Sequence, residues 1–162
     1  MGIYDNSSDT KISVLSSNIY NTHLLFELNN YEFILADDSD DKYLIHIDHS
    51  TSMLDVGKPN LPKISTSIII PDDLNMELEI VNAEYEEIEN VFIAPSKGNL
   101  SRDVNPQLVA YSFDKVYKED VFYPGDLSEL GDPYIIKNIR GQGVVFYPVQ
   151  YNPFSKTVRI YT

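Results

Sequence analysis

"NMELEIVNAEYEEIENVFI", Asn75 to Ile93, decides the fold. Its glutamates favour a helix on propensity alone. The apolar residues say otherwise. Met76, Leu78 and Ile80 alternate, and the phase then slips to Val81, Ala83 and Tyr85. Alternation with a period of two is the mark of a strand, and a one-residue slip is what a β-bulge produces. The stretch is therefore read as two strands. With it assigned to β structure, no long helical pattern remains in the chain.

The flanks agree. "KISTSIII", Lys63 to Ile70, is rich in β-branched residues; "GKPNLP" leads into it and Pro71 ends it. Toward the N-terminus, Lys11–Ser16 alternates. Thr22–Leu28 and Tyr31–Ala36 flank Asn29-Asn30, a residue pair suited to a hairpin turn because asparagine tolerates positive φ. "DDSDD", Asp37 to Asp41, then separates that hairpin from "KYLIHID". Toward the C-terminus, "YIIKNI", "VVFYPVQY" and "TVRIYT" read as three strands joined by the loops "RGQG" and "NPFSK", with "FYPGD" and "GDPY" as turns. "SFDKVYKED" offers one helical turn capped by Ser112 or Asp114. Eight or nine short strands punctuated by turns predict an all-β fold, an antiparallel β-sandwich or barrel-like domain with minimal helix.

Composition bounds the role. A chain of 162 residues suits a single domain, and 43% hydrophobic content argues against wholesale disorder. Twelve basic against 25 acidic residues give a formal charge of −13, which repels phosphate backbones and anionic membranes; no nucleic acid and no membrane partner is expected. The absence of cysteine removes disulfides, thiolate metal sites and a cysteine nucleophile. No run of 18 apolar residues is present, and "MGIYDNSSDT" lacks the basic and apolar regions of a signal peptide. The last residues, "KTVRIYT", stop inside an alternating pattern, so the chain reads as a piece of something longer.

Chemistry-bearing clusters are few. Asp37–Asp41 offers oxygens to calcium but lacks the glycine and distal glutamate of an EF-hand loop, so a solvated turn is the simpler reading. His46 and His49 would point to opposite faces of a strand, a poor geometry for a metal, and no metal site or cofactor is expected. No nucleophile elbow, phosphate loop or zincin motif occurs, and "GQG" at 141–143 reads as a tight turn. The twelve tyrosines fit sandwich faces better than a sugar-stacking platform.

Arg102 is different. It is one of three arginines and sits in the middle of "IAPSKGNLSRDVNP", Ile93 to Pro106. Pro95 fixes one anchor of this loop, and Asn105 precedes Pro106 and is pushed toward extended backbone. A stiff loop loses less entropy on docking, and a guanidinium fork suits a carboxylate at the bottom of a pocket.

At these residues the sequence resembles a known family. "IAPSKGNLSRDVNP", "FYPG", "DPYIIKNIRGQ", "PVQYNPFSKTVRIYT" and "GKPNLPKISTSIIIP" are similar to the N-terminal prodomain of gingipain-type cysteine peptidases, most of all the arginine-specific gingipains. The similarity is strong over 57–162 and weak over 1–56, where only the strand pattern matches. The resemblance implies a single prodomain over 1–162, a fragment of a longer precursor and not itself an enzyme. It implies a propeptide that holds the zymogen's peptidase domain latent, inhibits it by an arginine-bearing loop, and assists its folding. Carried over by position, that inhibitory residue is Arg102. Pro95, Ser96, Lys97, Gly98, Ser101, Asp103 and Pro106 would support the loop. The implied partner is the catalytic domain of a gingipain-type cysteine peptidase. The implied location is outside the cytoplasm: secreted to the periplasm, then extracellular or on the outer-membrane surface of a Gram-negative bacterium. Two other roles stay open: a free-standing β-sandwich binding module for glycans or cell surfaces, and a hydrolase using Asp and His.

Overall fold

The structure is a computed structural model that describes residues 10–36 and 39–162. It contains β1 (Thr10–Ser17), β2 (Thr22–Leu28), β3 (Glu32–Leu35), β4 (Tyr43–His46), β5 (Thr51–Ser52), β6 (Pro62–Ile69), β7 (Tyr85–Ile88), β8 (Ser128–Ile136), β9 (Ile139–Phe146), β10 (Val149–Asn152) and β11 (Thr157–Tyr161). The only helical elements among the described residues are two 3₁₀ turns, Pro106–Leu108 and Lys115–Lys118. The strands pair as β1-β2, β3-β4, β5-β6-β9-β8 and β10-β11-β7. Every ladder is antiparallel. The all-β, antiparallel expectation is met, with more and shorter strands than the pattern suggested.

The core draws on several sheets at once. Val149, Tyr151, Val158, Ile160 and Ile93 are fully buried, with Ile45, Ile47, Leu61 and Ile64 packed among them. Each such side chain contributes roughly 1.5–3 kcal/mol by leaving water. Tyrosine behaves here as a core residue with a polar end: the Tyr151 hydroxyl donates to the Val91 carbonyl at 3.0 Å and Tyr117 to the Ile93 carbonyl at 2.9 Å.

Four local readings are corrected. First, Asn29-Asn30 is not a hairpin turn. β2 pairs with β1 and β3 with β4, so the two asparagines only link separate hairpins, and neither adopts positive φ. The β1–β2 turn is instead made by Asn18, whose side-chain oxygen accepts from the Tyr20 and Asn21 amides at 2.8 and 3.0 Å. Second, "RGQG" is not a loop. Gly141-Gln142-Gly143 lie inside β9, central between β6 and β8. A side chain at Gly141 would sit 2.7 Å from the Tyr134 ring, so its glycine serves a close cross-strand approach; the reversal falls at Lys137, with φ 49°. Third, "GDPY" lies within β8, where the register shifts between Leu130 and Pro133. A bulge, not a turn, accommodates its proline.

The fourth concerns the deciding stretch. Tyr85–Ile88 pairs against β11, and Ile93 at the end of the stretch forms an isolated parallel bridge to Tyr43. Residues 74–84 carry no ladder, turn or bend, and 77–87 are exposed. The expected first strand thus has the alternation of a strand without a partner among the described residues.

The β3–β4 connection holds Asp37 and Asp38, which lie outside the described residues, as does that part of the calcium reading. Asp41 accepts from Ser39 and Lys42, both at 2.8 Å; the Lys42 and then the Ser39 bond hold its carboxyl below the usual range, as in a solvated turn. No metal-binding group of three or more carboxylates and histidines occurs among the described residues. His46 lies on β4, bonded to Asp48 at 3.1 Å, while His49 sits in the following turn at φ 62°, not on the strand.

Candidate functional site

The segment entering the Arg102 loop is bonded along both of its edges. Ala94 donates to the Tyr43 carbonyl and Tyr43 to the Phe92 carbonyl, at 2.9 and 2.8 Å, so one edge rests on β4. On the other edge Asn60 donates to Ala94, Ser96 to Lys58 and Gly57 to Ser96, at 2.9, 2.7 and 2.9 Å. Pro59 bridges Pro95, and both are buried. Gly57 takes φ 82° here, with Ser112 and Asp114 packed where a side chain would stand. Pro95 and Ser96 therefore belong to the core edge, and the exposed part of the loop begins beyond them.

The chain turns out at Gly98, with φ 80°. Its amide donates to the buried Ser96 hydroxyl at 3.1 Å. A Cβ at this position would lie 2.5 Å from Val56 Cγ2, so both backbone angle and space require glycine. Lys97 then spans the neck of the loop. Its Nζ donates to the Pro106 carbonyl at 2.7 Å and lies 4.4 Å from the centre of the Tyr111 ring. The returning limb is stiffened by the Pro106–Leu108 turn. Asn105 caps it in extended backbone, φ −74° and ψ 114°, accepting from the Gln107 amide at 3.0 Å.

Between these limbs Ser101–Val104 forms a β-turn closed by Val104 N–H to Ser101 C=O at 3.0 Å. Arg102 occupies its first corner and is exposed. No hydrogen bond or ion pair to another described residue engages its guanidinium. Asp103 forms no ion pair with it; hydrogen bonding from the Ser101 side chain holds the Asp103 carboxyl below the usual pKa range. The other two arginines are engaged. Arg140 donates to the Pro71 and Leu74 carbonyls. Arg159 pairs with Glu87 at 2.7 Å and stacks 3.8 Å from the Phe122 ring centre.

A cleft of about 340 Å³ lies beneath the loop, lined by Leu44, Leu54, Leu100 and Tyr111 among others. The loop is thus braced at its neck and free of the body at its tip. All eight residues expected at the site fall on this one loop. Sequence reading missed Tyr111, Val56 and Lys58, which come from distant positions and carry no local signal. It also missed the capping role of Asn105, although Asn-Pro is a recognisable helix start.

The profile of the Propeptide_C25 family matches residues 4–162. The chain is 44% identical over 106 residues to gingipain R1 of Porphyromonas gingivalis, covering 65% of this chain and 11% of that protein. It is 36% identical over 155 residues to gingipain R2 of the same species, covering 94% of this chain and 21% of that one. The chain spans about a fifth or less of the curated relatives it matches. Among solved structures, it is similar to a chain in the complex of the Porphyromonas gingivalis RgpB pro- and mature domains. The TM-score is 0.87 and the identity 36%, over 93% of this chain and 79% of that chain. A structure on the zymogenic latency of gingipain K shares the fold at TM-score 0.78 and 14% identity, over 97% and 90% of the two chains.

Proposed function

The chain belongs to the Propeptide_C25 family, and on that premise we propose that it is the prodomain of a longer precursor. It keeps a gingipain-type cysteine peptidase latent by lodging Arg102 in the specificity pocket. It also assists folding of that peptidase. The observation that carries this is the state of Arg102: the one arginine held out on a braced loop with its guanidinium unengaged by any described residue. A guanidinium presented in this way resembles a substrate arginine, and a carboxylate-floored pocket would take it through paired hydrogen bonds. The braced limbs let the loop occupy the site without aligning a scissile carbonyl, or let it re-form after rare cleavage.

The partner reading takes support from the RgpB relative, whose pro- and mature domains form a complex. The overall acidity would steer the prodomain toward a more basic face of the enzyme. Export follows from the same kinship, toward the periplasm and then the outside of a Gram-negative cell; no helix among the described residues is long and apolar enough to cross a membrane. The glycan-binding alternative loses support from the tyrosines, since Tyr31, Tyr117, Tyr123, Tyr147 and Tyr151 all spend their hydroxyls on partners within the domain.

The test is inhibition. The isolated chain is expected to inhibit an arginine-specific gingipain-type peptidase, and Arg102→Ala to weaken that inhibition. A chain that binds no such peptidase would refute the reading.

A further inference from the structure

Three of the twelve basic residues are arginines, and the fold treats them unequally. Arg102 stands exposed in a turn closed by one backbone bond, from Val104 to Ser101 at 3.0 Å. Arg140 and Arg159 lie in β9 and β11, each an inner strand of its sheet. Arg140 faces Ile135 on one side, and on the other its carbonyl accepts from the Ile70 amide at 3.0 Å. Arg159 faces Gln150 and Glu87. Both guanidinium groups are held as well. Arg140 donates to the Pro71 and Leu74 carbonyls at 2.7 and 2.5 Å, and Arg159 donates to Glu87 at 2.7 Å while lying over the Phe122 ring. The exposed turns at the tips of these hairpins carry lysine instead, Lys137 between β8 and β9 and Lys156 between β10 and β11.

We propose that Arg140–Gly141 and Arg159–Ile160 are latent cleavage sites for an arginine-specific endopeptidase, withheld by the fold, which offers only Arg102–Asp103. A folded chain is then nicked once, and an unfolded chain is destroyed. The purpose of this device rests on the function proposed above, in which the chain meets such a peptidase; its geometry does not. An endopeptidase reads its substrate as an extended strand, which needs a free backbone edge and a side chain free to enter the pocket. At Arg140 and Arg159 both edges and the side chain are occupied. Cutting there waits for the sheets to open, so its rate follows the open population.

Hydrolysis at Arg102 adds one water across the amide and leaves a carboxylate on Arg102 and an ammonium on Asp103. That nick does not part the halves. Residues 1–102 carry β1 to β7, and residues 103–162 carry β8 to β11. β6 pairs with β9 from Ile64–Phe146 to Ile69–Gly141, and β7 pairs with β11 from Ile88–Val158 to Tyr85–Tyr161, so two sheets are shared across the cut. The core is shared too: Ile45, Leu61 and Ile93 from one side pack with Val149, Tyr151 and Ile160 from the other. The bond from Lys97 to the Pro106 carbonyl bridges the nick directly. A cut at Arg140 or Arg159 has the opposite effect, because it divides an inner strand and the chain cannot re-form its sheet. Disposal therefore runs one way once the fold is lost.

Digestion with an arginine-specific serine endopeptidase tests this, on the folded chain and on the chain unfolded in a denaturant that the enzyme tolerates. Mass spectrometry follows each cut, and size-exclusion chromatography at micromolar concentration follows the nicked product. The folded chain should yield only 1–102 and 103–162, eluting together where the intact chain elutes. The unfolded chain should be cut at all three arginines at comparable rates. Cuts after Arg140 and Arg159 are expected to be at least about a thousandfold slower in the folded chain than in the unfolded one. Similar rates in both states would overturn the proposal. So would separation of the two fragments, a folded chain left uncut at Arg102, or resistance of Arg140 and Arg159 in the unfolded chain, which would trace the protection to local sequence. No readout here uses a gingipain-type enzyme, so failure to inhibit one would remove the proposed function and leave this cleavage pattern standing.

Discussion

Truncating Arg102 should separate inhibition from stability. The guanidinium is exposed and makes no bond to another described residue, so Arg102→Ala removes nothing from the folded domain; its unfolding free energy should stay within the range of a neutral surface change, about ±0.5 kcal/mol. In the complex the same side chain would be a buried anchor, and losing such an anchor costs roughly 2–4 kcal/mol, about a 30- to 1000-fold rise in inhibition constant. Arg159→Ala is the matched control. Arg159 bonds Glu87 at 2.7 Å and stacks on Phe122 and Tyr85, so its loss removes an ion pair and ring contacts worth about 1–2 kcal/mol together. That lowers the melting temperature by roughly 2–8 °C and leaves inhibition nearly intact. The assay is progress-curve inhibition of an arginine-specific peptidase alongside thermal unfolding of each variant. Equal inhibition constants for the two variants would refute the reasoning, as would a large loss of stability in Arg102→Ala.

Other perturbations follow from the same geometry. Arg102→Lys keeps the charge but loses the planar fork, so its inhibition constant should fall between those of wild type and Arg102→Ala. Gly98→Ala meets both φ 80° and Val56, and thermal unfolding should register roughly 1–3 kcal/mol of destabilisation, with weaker inhibition. Lys97→Met removes the bond across the neck; inhibition should weaken roughly 2- to 10-fold, and mass spectrometry should show faster cleavage after Arg102. At alkaline pH, burial and then the Glu86 carboxylate push Tyr31 up to about 12, and burial does the same for Tyr151. The unfolded chain ionises these near pH 10 while the fold keeps them protonated. Their contribution is therefore complete below pH 10 and lost as pH rises through about 12; the tyrosinate absorbance of these two residues, isolated as the difference from Tyr31→Phe and Tyr151→Phe, should rise together with unfolding, not before it.

Much of the fold was legible because alternation is a local property. β6, β11 and the Asp114-capped turn stand where their residue patterns place them, with the Val116 amide donating to Asp114 at 3.1 Å. Pairing is not local, and there the sequence misled. Asn29-Asn30 has the chemistry of a hairpin turn, but β2 finds its partner behind it in β1. Gly141 and Gly143 have the chemistry of a loop, but β9 runs through the middle of a sheet where Tyr134 needs the space. The candidate loop was legible for a different reason: its stiffness comes from proline and glycine, whose constraints are written into single residues. Its anchors at Val56, Lys58 and Tyr111 were not, because they approach through the tertiary fold.

The arrangement also explains why stiffness is confined to the loop's base. A loop rigid to its tip would have to match the pocket in advance, and any mismatch would subtract from binding. A loop free from its base would present arginine as an ordinary flexible substrate and be cut. Here Pro95 and Ser96 are part of the core edge, Lys97 bonds across the neck, and Asn105 caps the returning limb. Beyond the neck, residues 101–108 are exposed, with the Ser101–Val104 turn at their start and a cleft beneath the loop. If Arg102 fills the peptidase pocket as proposed above, cleavage at that turn would leave both new ends attached to a held neck. Resistance to release would then depend on the brace more than on the turn, so substitutions at Lys97 should shorten inhibition in time more than they reduce the initial rate of association.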